Sequence, residues 1–187
     1  MSEREEELQA VTVGELKPVS GPIELVEYDP AWPGLFMREA ERIRAALGER
    51  AVLVEHTGST SVPGLAAKPI IDITLAVPDS ADEQAYAPAL EAARYVLRIR
   101  EPDWYEHRVF KGPDTNVNLH VFSEGCPEID RMLRFRDRIR ANAADRALYE
   151  RTKRGLAAKE WRYVQDYADA KTAVVEEILA RAFRGTS

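Results

Sequence analysis

The segment of residues 56–73, HTGSTSVPGLAAKPIIDI, contains the residue types best suited to hold an anion. Gly58 allows the backbone to approach a ligand closely, because glycine has no side chain. The hydroxyl residues that follow it are Ser59, Thr60 and Ser61. A short helix beginning there would point its positive end at an anion, and Lys68 would add a charge. The segment therefore predicts a phosphate cradle, although its glycines and lysine are not spaced as in a Walker A loop. On spacing alone, a surface loop of ordinary turn residues is an equally good interpretation.

Asp72 favours the functional interpretation. It is the one charged residue in the apolar segment 70–77, which has the pattern of a strand buried on both faces. A carboxylate in such a strand is costly unless it is paired or binds a metal. Beside a phosphate cradle it would suit Mg²⁺ or Mn²⁺. We therefore predict that Asp72 is a catalytic and metal-binding residue; the alternative is that it caps the preceding loop or pairs with an arginine.

His120 is the second predicted catalytic and metal-binding residue. Asn118 and His120 share one face of the predicted strand 117–122, because side chains alternate along a strand. We expect Asp72 and His120 to point into one cleft from neighbouring strands, with the Gly58 turn at its rim. A strand histidine that is simply hydrogen-bonded is the alternative.

Further basic residues could contact phosphates or an acceptor. Lys111 ends the segment 104–111, near the predicted position of His120. Arg134 belongs to an arginine-rich segment whose other arginines are Arg131, Arg136, Arg138 and Arg140. Acidic residues lie among them, so a solvated, salt-bridged helix face is the favoured interpretation of this segment, with phosphate binding by Arg134 as the functional one.

Composition excludes several classes of protein. The chain has 187 residues, 45% of them hydrophobic, which indicates one globular domain and excludes wholesale disorder. Its net charge of −6 makes duplex DNA and anionic membranes poor partners. The single cysteine, Cys126, excludes an intramolecular disulfide and a cysteine-rich zinc site. The acidic N-terminus does not resemble a signal peptide, so we expect a cytoplasmic protein.

The elements that must position these residues predict an α+β fold. Residues 1–21 indicate a flexible or loosely docked tail, with a capped amphipathic helix as the alternative; residues 22–187 form the domain. Strands are predicted at 23–28, 51–56, 70–77, 95–100, 104–111 and 117–122. Helices are predicted from Pro33 to Gly48, at 81–93 with a capping box of Ser80 and Glu83, and after Pro127, with Asn142 as a cap and Gly155 as a weak point. We expect a mixed sheet of four to five strands with flanking and C-terminal helices.

Together these residues resemble the GrpB family, also called UPF0157, whose domain is also fused to the C-terminus of some dephospho-CoA kinases. The resemblance covers about residues 23–182. It is carried by YDPAWP at 28–33, by the segment 55–73, by NLHV at 118–121, by LRFRD at 133–137, and by Tyr149, Lys153, Tyr167 and Lys171.

The resemblance implies a nucleotidyltransferase-like fold of the polymerase-β type. It places Gly58 and Ser59 at the phosphate-contacting pair and Asp72 at the first metal-binding acid. Position 74 is Thr where a second acid belongs, and His120 stands where an acid of the third catalytic strand is expected. The implied function is an enzyme that transfers a nucleotidyl group to a small-molecule acceptor. The alternative is a catalytically degenerate module that binds a nucleotide or a phosphorylated metabolite, with a link to coenzyme A metabolism.

Overall fold

Five strands form one mixed sheet in the computed structural model, which describes residues 1–18 and 21–185. The strands are β1 (Leu53–Thr57), β2 (Ile71–Val77), β3 (Val96–Glu101), β4 (His107–Lys111) and β5 (Val117–Ser123). Their order across the sheet is β1-β2-β5-β4-β3. The central pair β2 and β5 is parallel, and the other neighbouring pairs are antiparallel. The predicted α+β fold with a mixed sheet is therefore confirmed.

Helices surround the sheet. They are α1 (Glu3–Val11), α2 (Trp32–Leu47), α3 (Glu83–Ala92), α4 (Pro127–Ala141), α5 (Ala143–Ala157), α6 (Val164–Ala170) and α7 (Thr172–Arg184). As predicted, α2 ends at Gly48, and the Asn142 side chain caps α5 by accepting from the N–H of Asp145. Gly155 lies inside the last turn of α5. Within the described residues, none of the helices is long and apolar enough to cross a membrane.

Alternation along the central strands separates an apolar face from a polar one. On β2, Ile71, Ile73 and Leu75 pack against α2 and α3 in the main core. The intervening positions face the other side, where α4 covers one end of the sheet by packing Ile129 against Ala76. Asp72, Asn118 and His120 also lie on this second face, where Glu128 and Met132 of α4 line the same cavity.

The N-terminal segment is a docked helix, where a flexible or loosely docked tail was expected. Ser2 and Glu5 form a capping box at the start of α1. Leu8 is buried, and the Arg4 guanidinium binds Asp166 at 3.0 Å. The expected tail therefore contains the capped helix of the alternative interpretation, although its buried face consists of little more than Leu8.

Two local predictions were wrong. Residues 23–28 do not form a strand; they contain a single bridge between Val26 and Ala67. Ser80 does not cap α3, because its hydroxyl lies 3.0 Å from that of Ser123 at the end of β5. Glu83, its expected partner, instead forms an ion pair with Arg100.

Candidate functional site

Asp72 and His120 lie side by side on the polar face of the sheet. β2 and β5 pair in parallel register, with Asp72 opposite Asn118 and Thr74 opposite His120. The Asp72 Oδ1 atom is 3.2 Å from His120 Nε2. Burial would raise the pKa of the Asp72 carboxyl, but hydrogen bonds from His120 and Asn118 and nearby positive charge lower it. The predicted juxtaposition of Asp72 and His120 is confirmed.

A second histidine, which the sequence analysis did not select, extends this pair. His107 Nε2 lies 3.1 Å from His120 Nδ1, and His107 Nδ1 lies 2.6 Å from a carboxylate oxygen of Glu101. The two imidazole rings stack with centroids 5.3 Å apart. Burial lowers the pKa of His107, against the opposing effect of Glu101. The pattern that could have identified His107 is the alternation along β4. It places His107, Val109 and Lys111 on the same face as His120.

The Gly58 turn packs directly against Asp72. Gly58 has φ +68°, and a Cβ atom added there would lie 2.4 Å from Asp72 Oδ2. A glycine is therefore required for both the backbone conformation and the close approach. The single turn of 3-10 helix that follows, Ser59–Ser61, begins beside the carboxylate, as the sequence predicted.

The three hydroxyls of this turn have different partners. Thr60 donates to the carbonyl of Ile70 at 2.9 Å, and Ser61 donates to the carbonyl of Gly58 at 2.5 Å. Both hydroxyls are thus used to shape the turn. Ser59 differs, since its Oγ accepts a hydrogen bond of 2.9 Å from the Lys153 amine.

Lysines converge on Asp72 from several elements. Lys111 on β4 donates to the Asn118 side chain. Lys171, at the start of α7, lies 4.7 Å from the ring centroid of Tyr167, and Lys68 lies over the same ring at 5.8 Å. Burial lowers the pKa of all three amines, and the charge of Lys171 lowers that of Lys68 further. Three lysine amines therefore act on Asp72, and Glu101 and Glu128 are further acidic residues of the same lining.

Two basic residues that carry the family resemblance, but for which no role in the site was predicted, follow a repeated pattern. Tyr149 and Lys153 on α5, like Tyr167 and Lys171, are four positions apart, which places each pair on one helical side. Each amine lies over the ring of its partner tyrosine, at 4.9 Å for Lys153. The Tyr-x-x-x-Lys spacing was the signal that could have identified these lysines.

These residues line a cavity of about 980 Å³. Of the predicted site residues, its lining includes Ser59, Thr60, Lys68, Asp72, Lys111 and His120. Tyr167 also lines it, and the buried hydroxyl of this residue has no hydrogen-bond partner among the described residues. Buried hydroxyls without a partner are rare in proteins.

Three predicted phosphate-binding residues do not line this cavity: Gly58, which packs against Asp72, Ser61 and Arg134. Ser61 lies in a separate cleft of about 770 Å³ together with Arg136 and Arg140. Arg134 lies on the outer face of α4, where it binds Asp130 at 2.7 Å. The helical pitch explains this outcome, because Arg134 occupies a different side of α4 from the residues that contact the sheet.

The donor set does not fit a two-cation centre. Thr74, at the position where a second acid was expected, is buried, and its hydroxyl lies 2.9 Å from that of Thr57. Among the described residues there is no group of three or more His, Cys, Asp or Glu side chains that could hold a metal ion. Two-metal phosphoryl transfer needs several carboxylates, so the positive charge offered to a ligand here comes from lysines.

Comparison with known proteins gives one consistent result. Residues 22–181 match the family described as GrpB protein. A UPF0157 protein of Halalkalibacterium halodurans is 68% identical over 95% of this chain and 91% of its own length. A dephospho-CoA kinase of Mycolicibacterium paratuberculosis is 32% identical over 87% of this chain but only 46% of its own length. The crystal structure of conserved protein GrpB from Enterococcus faecalis superimposes with a TM-score of 0.76 at 32% identity, covering 87% of this chain and 99% of that one.

Proposed function

The chain belongs to the GrpB family, and from that premise we propose that its cavity binds a phosphorylated small molecule, with a nucleotide as the first candidate. The observation that carries this proposal is the cluster of buried lysines around Asp72. Lys68, Lys111 and Lys171 approach Asp72, and their own burial disfavours their charged forms. An anion in the cavity would stabilise all three charges at once.

The unpaired polar groups and the size of the cavity support the same ligand class. Lys68 and Lys171 form no ion pair with any described carboxylate, and the Tyr167 hydroxyl has no described partner either. Phosphate oxygens in the cavity would accept hydrogen bonds from both amines. Nucleotides and phosphorylated metabolites offer several such oxygens together with a polar body that a cavity of about 980 Å³ can hold.

Nucleotidyl transfer is the second candidate function, favoured by the contact of Gly58 with Asp72. This contact puts the phosphate-binding turn directly beside a carboxylate and His120. His120 would accept a proton from the hydroxyl of an acceptor, and Asp72 would stabilise the charged imidazole. Coenzyme A precursors belong among the tested ligands, because some relatives are named dephospho-CoA kinases.

Calorimetry with the purified chain tests the binding proposal. ATP, GTP, CTP, UTP and coenzyme A precursors are titrated with and without Mg²⁺. We expect heat with at least one of them, and a Kd raised about tenfold or more by Lys171→Met, because a bond to a charged group contributes about 1.5–3 kcal/mol. Arg134→Gln, outside the cavity, is the control and should leave the Kd unchanged. No heat with any ligand would contradict the proposal, and pyrophosphate release from a triphosphate with a metabolite pool would distinguish an enzyme from a binder.

A further inference from the structure

Lys153 is arranged differently from the other lysines of the cavity. Lys153 is 1% exposed. Its amine makes two hydrogen bonds, to Ser59 Oγ at 2.9 Å and to the Ala66 carbonyl at 2.6 Å. The Tyr149 ring covers it at 4.9 Å. This amine is therefore directed at a serine hydroxyl rather than left open to a ligand.

Ser59 occupies a position suited to a nucleophile. It follows Gly58, whose positive φ turns the chain sharply at the edge of β1, and it lines the cavity together with Lys68 and Lys171. Thr60 and Ser61 donate their hydroxyl protons to backbone carbonyls. Of the three hydroxyls in the turn, the Ser59 hydroxyl is the one that contacts an amine.

We propose that Ser59 and Lys153 form a nucleophile and general-base pair, in which Ser59 Oγ attacks phosphorus in a phosphoric anhydride bound in the cavity. The inference rests on the proposed function, because the cavity must first hold such a ligand. In this step the Oγ–P bond forms, one P–O bond of the anhydride breaks, and the Oγ proton moves to Lys153 Nζ. With a nucleoside triphosphate, attack at the α phosphorus releases diphosphate and attack at the γ phosphorus releases the nucleoside diphosphate.

The charges around Lys153 suit this role. Burial, together with the nearby charge of Lys171, lowers the pKa of Lys153 to about 7. Glu150 and Asp72 oppose this effect, and Arg154 adds to it. Near neutral pH the amine is thus neutral for a useful fraction of the time, as a general base must be. Lys68 and Lys171 remain to stabilise the negative oxygens of the phosphorus group.

Covalent labelling of the full chain tests the pair. The protein is incubated with ATP carrying labelled phosphorus at the α or the γ position, and separately with a fluorophosphonate probe, and the modified peptide is identified by mass spectrometry. We expect label on Ser59, none in Ser59→Ala, and labelling at least about a hundredfold slower in Lys153→Met, the usual contribution of a general base. Label from the α position indicates nucleotidyl transfer and label from the γ position indicates phosphoryl transfer.

Two further variants separate a catalytic role of Lys153 from a structural one. Lys153→Arg keeps the positive charge and the donors but cannot lose its proton, so we expect it to label as slowly as Lys153→Met. The wild-type rate should rise with pH through about 7, and the rate of Lys153→Arg should not follow this profile. Ser123→Ala, a serine outside the cavity that contacts Ser80, should label like the wild type.

The outcomes that overturn the inference differ from those that overturn the proposed function. If calorimetry shows nucleotide binding but neither ATP nor the fluorophosphonate labels Ser59, the inference is overturned and the proposed function stands. If Ser59 is labelled as fast in Lys153→Arg as in the wild type, the Lys153 amine only positions the turn. Absence of nucleotide binding would remove the proposed function, and fluorophosphonate labelling alone would then decide whether Ser59 and Lys153 form a reactive pair.

Discussion

At the scale of single residues, Gly58 makes the strongest steric demand of the site. Any side chain there meets Asp72, with a Cβ atom 2.4 Å from Oδ2, in a backbone conformation of φ +68°. We predict that Gly58→Ala lowers the free energy of unfolding by more than the roughly 1–2 kcal/mol of a left-handed backbone alone, because the Asp72 carboxylate must also move. Ligand affinity should fall with it.

Gly64→Ala is the matched control for this substitution. Gly64 also has a positive φ, +79°, but an added Cβ atom there would meet nothing within 4 Å. The midpoint of thermal or denaturant unfolding of Gly64→Ala should therefore fall only by the cost of the backbone conformation. Ligand binding by this variant, measured by calorimetry, should be retained. Equal losses of stability in the two variants, with binding retained in both, would contradict the close packing of Gly58 on Asp72.

At the scale of elements, α1 forms part of the cavity wall although it lies outside the segment that matches the GrpB family, which begins at residue 22. Leu8 is buried, Arg4 binds Asp166, and the Tyr163 hydroxyl donates to Glu5 at 2.9 Å. Thr12 forms a bridge with Ile99 at the edge strand β3. Contacts near both ends of α1 therefore hold this helix in the wall of the cavity.

We predict that Leu8→Asp releases α1 without unfolding the sheet, since an unpaired charge cannot stay buried. Hydrogen exchange of residues 3–11 should become fast, exchange in β2 and β5 should remain slow, and a bound nucleotide should dissociate faster. Glu6→Gln, at an exposed position of the same helix, is the control and should behave like the wild type. Unchanged exchange in Leu8→Asp would show that α1 is held by its ion pairs rather than by this contact.

At the scale of the whole molecule, His56 couples the stability of the fold to pH. It is buried between the Phe36 ring, with centroids 4.9 Å apart, and the Thr60 hydroxyl at 3.0 Å. Burial lowers the pKa of His56 to about 4, below its ordinary value of 6.5, and Arg140 and Arg136 contribute. Between these pH values the unfolded chain binds a proton that the folded chain does not, so stability present above pH 6.5 is lost as the pH falls toward 4.

We predict that His56→Gln removes this component. The free energy of unfolding of the wild type should fall by up to about 1.4 kcal/mol per pH unit more steeply than that of the variant over this window, from one extra proton bound on unfolding. Urea titrations at several pH values measure the difference, and carboxylates contribute equally to both proteins. Parallel curves would contradict the assignment of this effect to His56.

Local spacing along the chain was enough to predict the residues at the centre of the site. The lone Asp72 in an apolar strand, the glycine and serine that precede it, and the alternation that puts Asn118 and His120 on one face all depend on local spacing. For that reason the mixed sheet, the pairing of Asp72 with His120 and the position of the Gly58 turn could be predicted. The same local logic identified the Asn142 cap and the end of α2 at Gly48.

Tertiary structure alone decided which distant groups join them. Lys153 and Lys171 reach the cavity from α5 and from the start of α7, and their approach depends on how these helices pack on the sheet. His107 reaches it from β4, because β4 pairs with β5. Arg134 lies outside the cavity and pairs with Asp130 at 2.7 Å, as expected for the salt-bridged helix face that was the favoured interpretation of this segment. The α1 wall was also beyond local reasoning, since the partner of Arg4 lies 162 residues away, at Asp166.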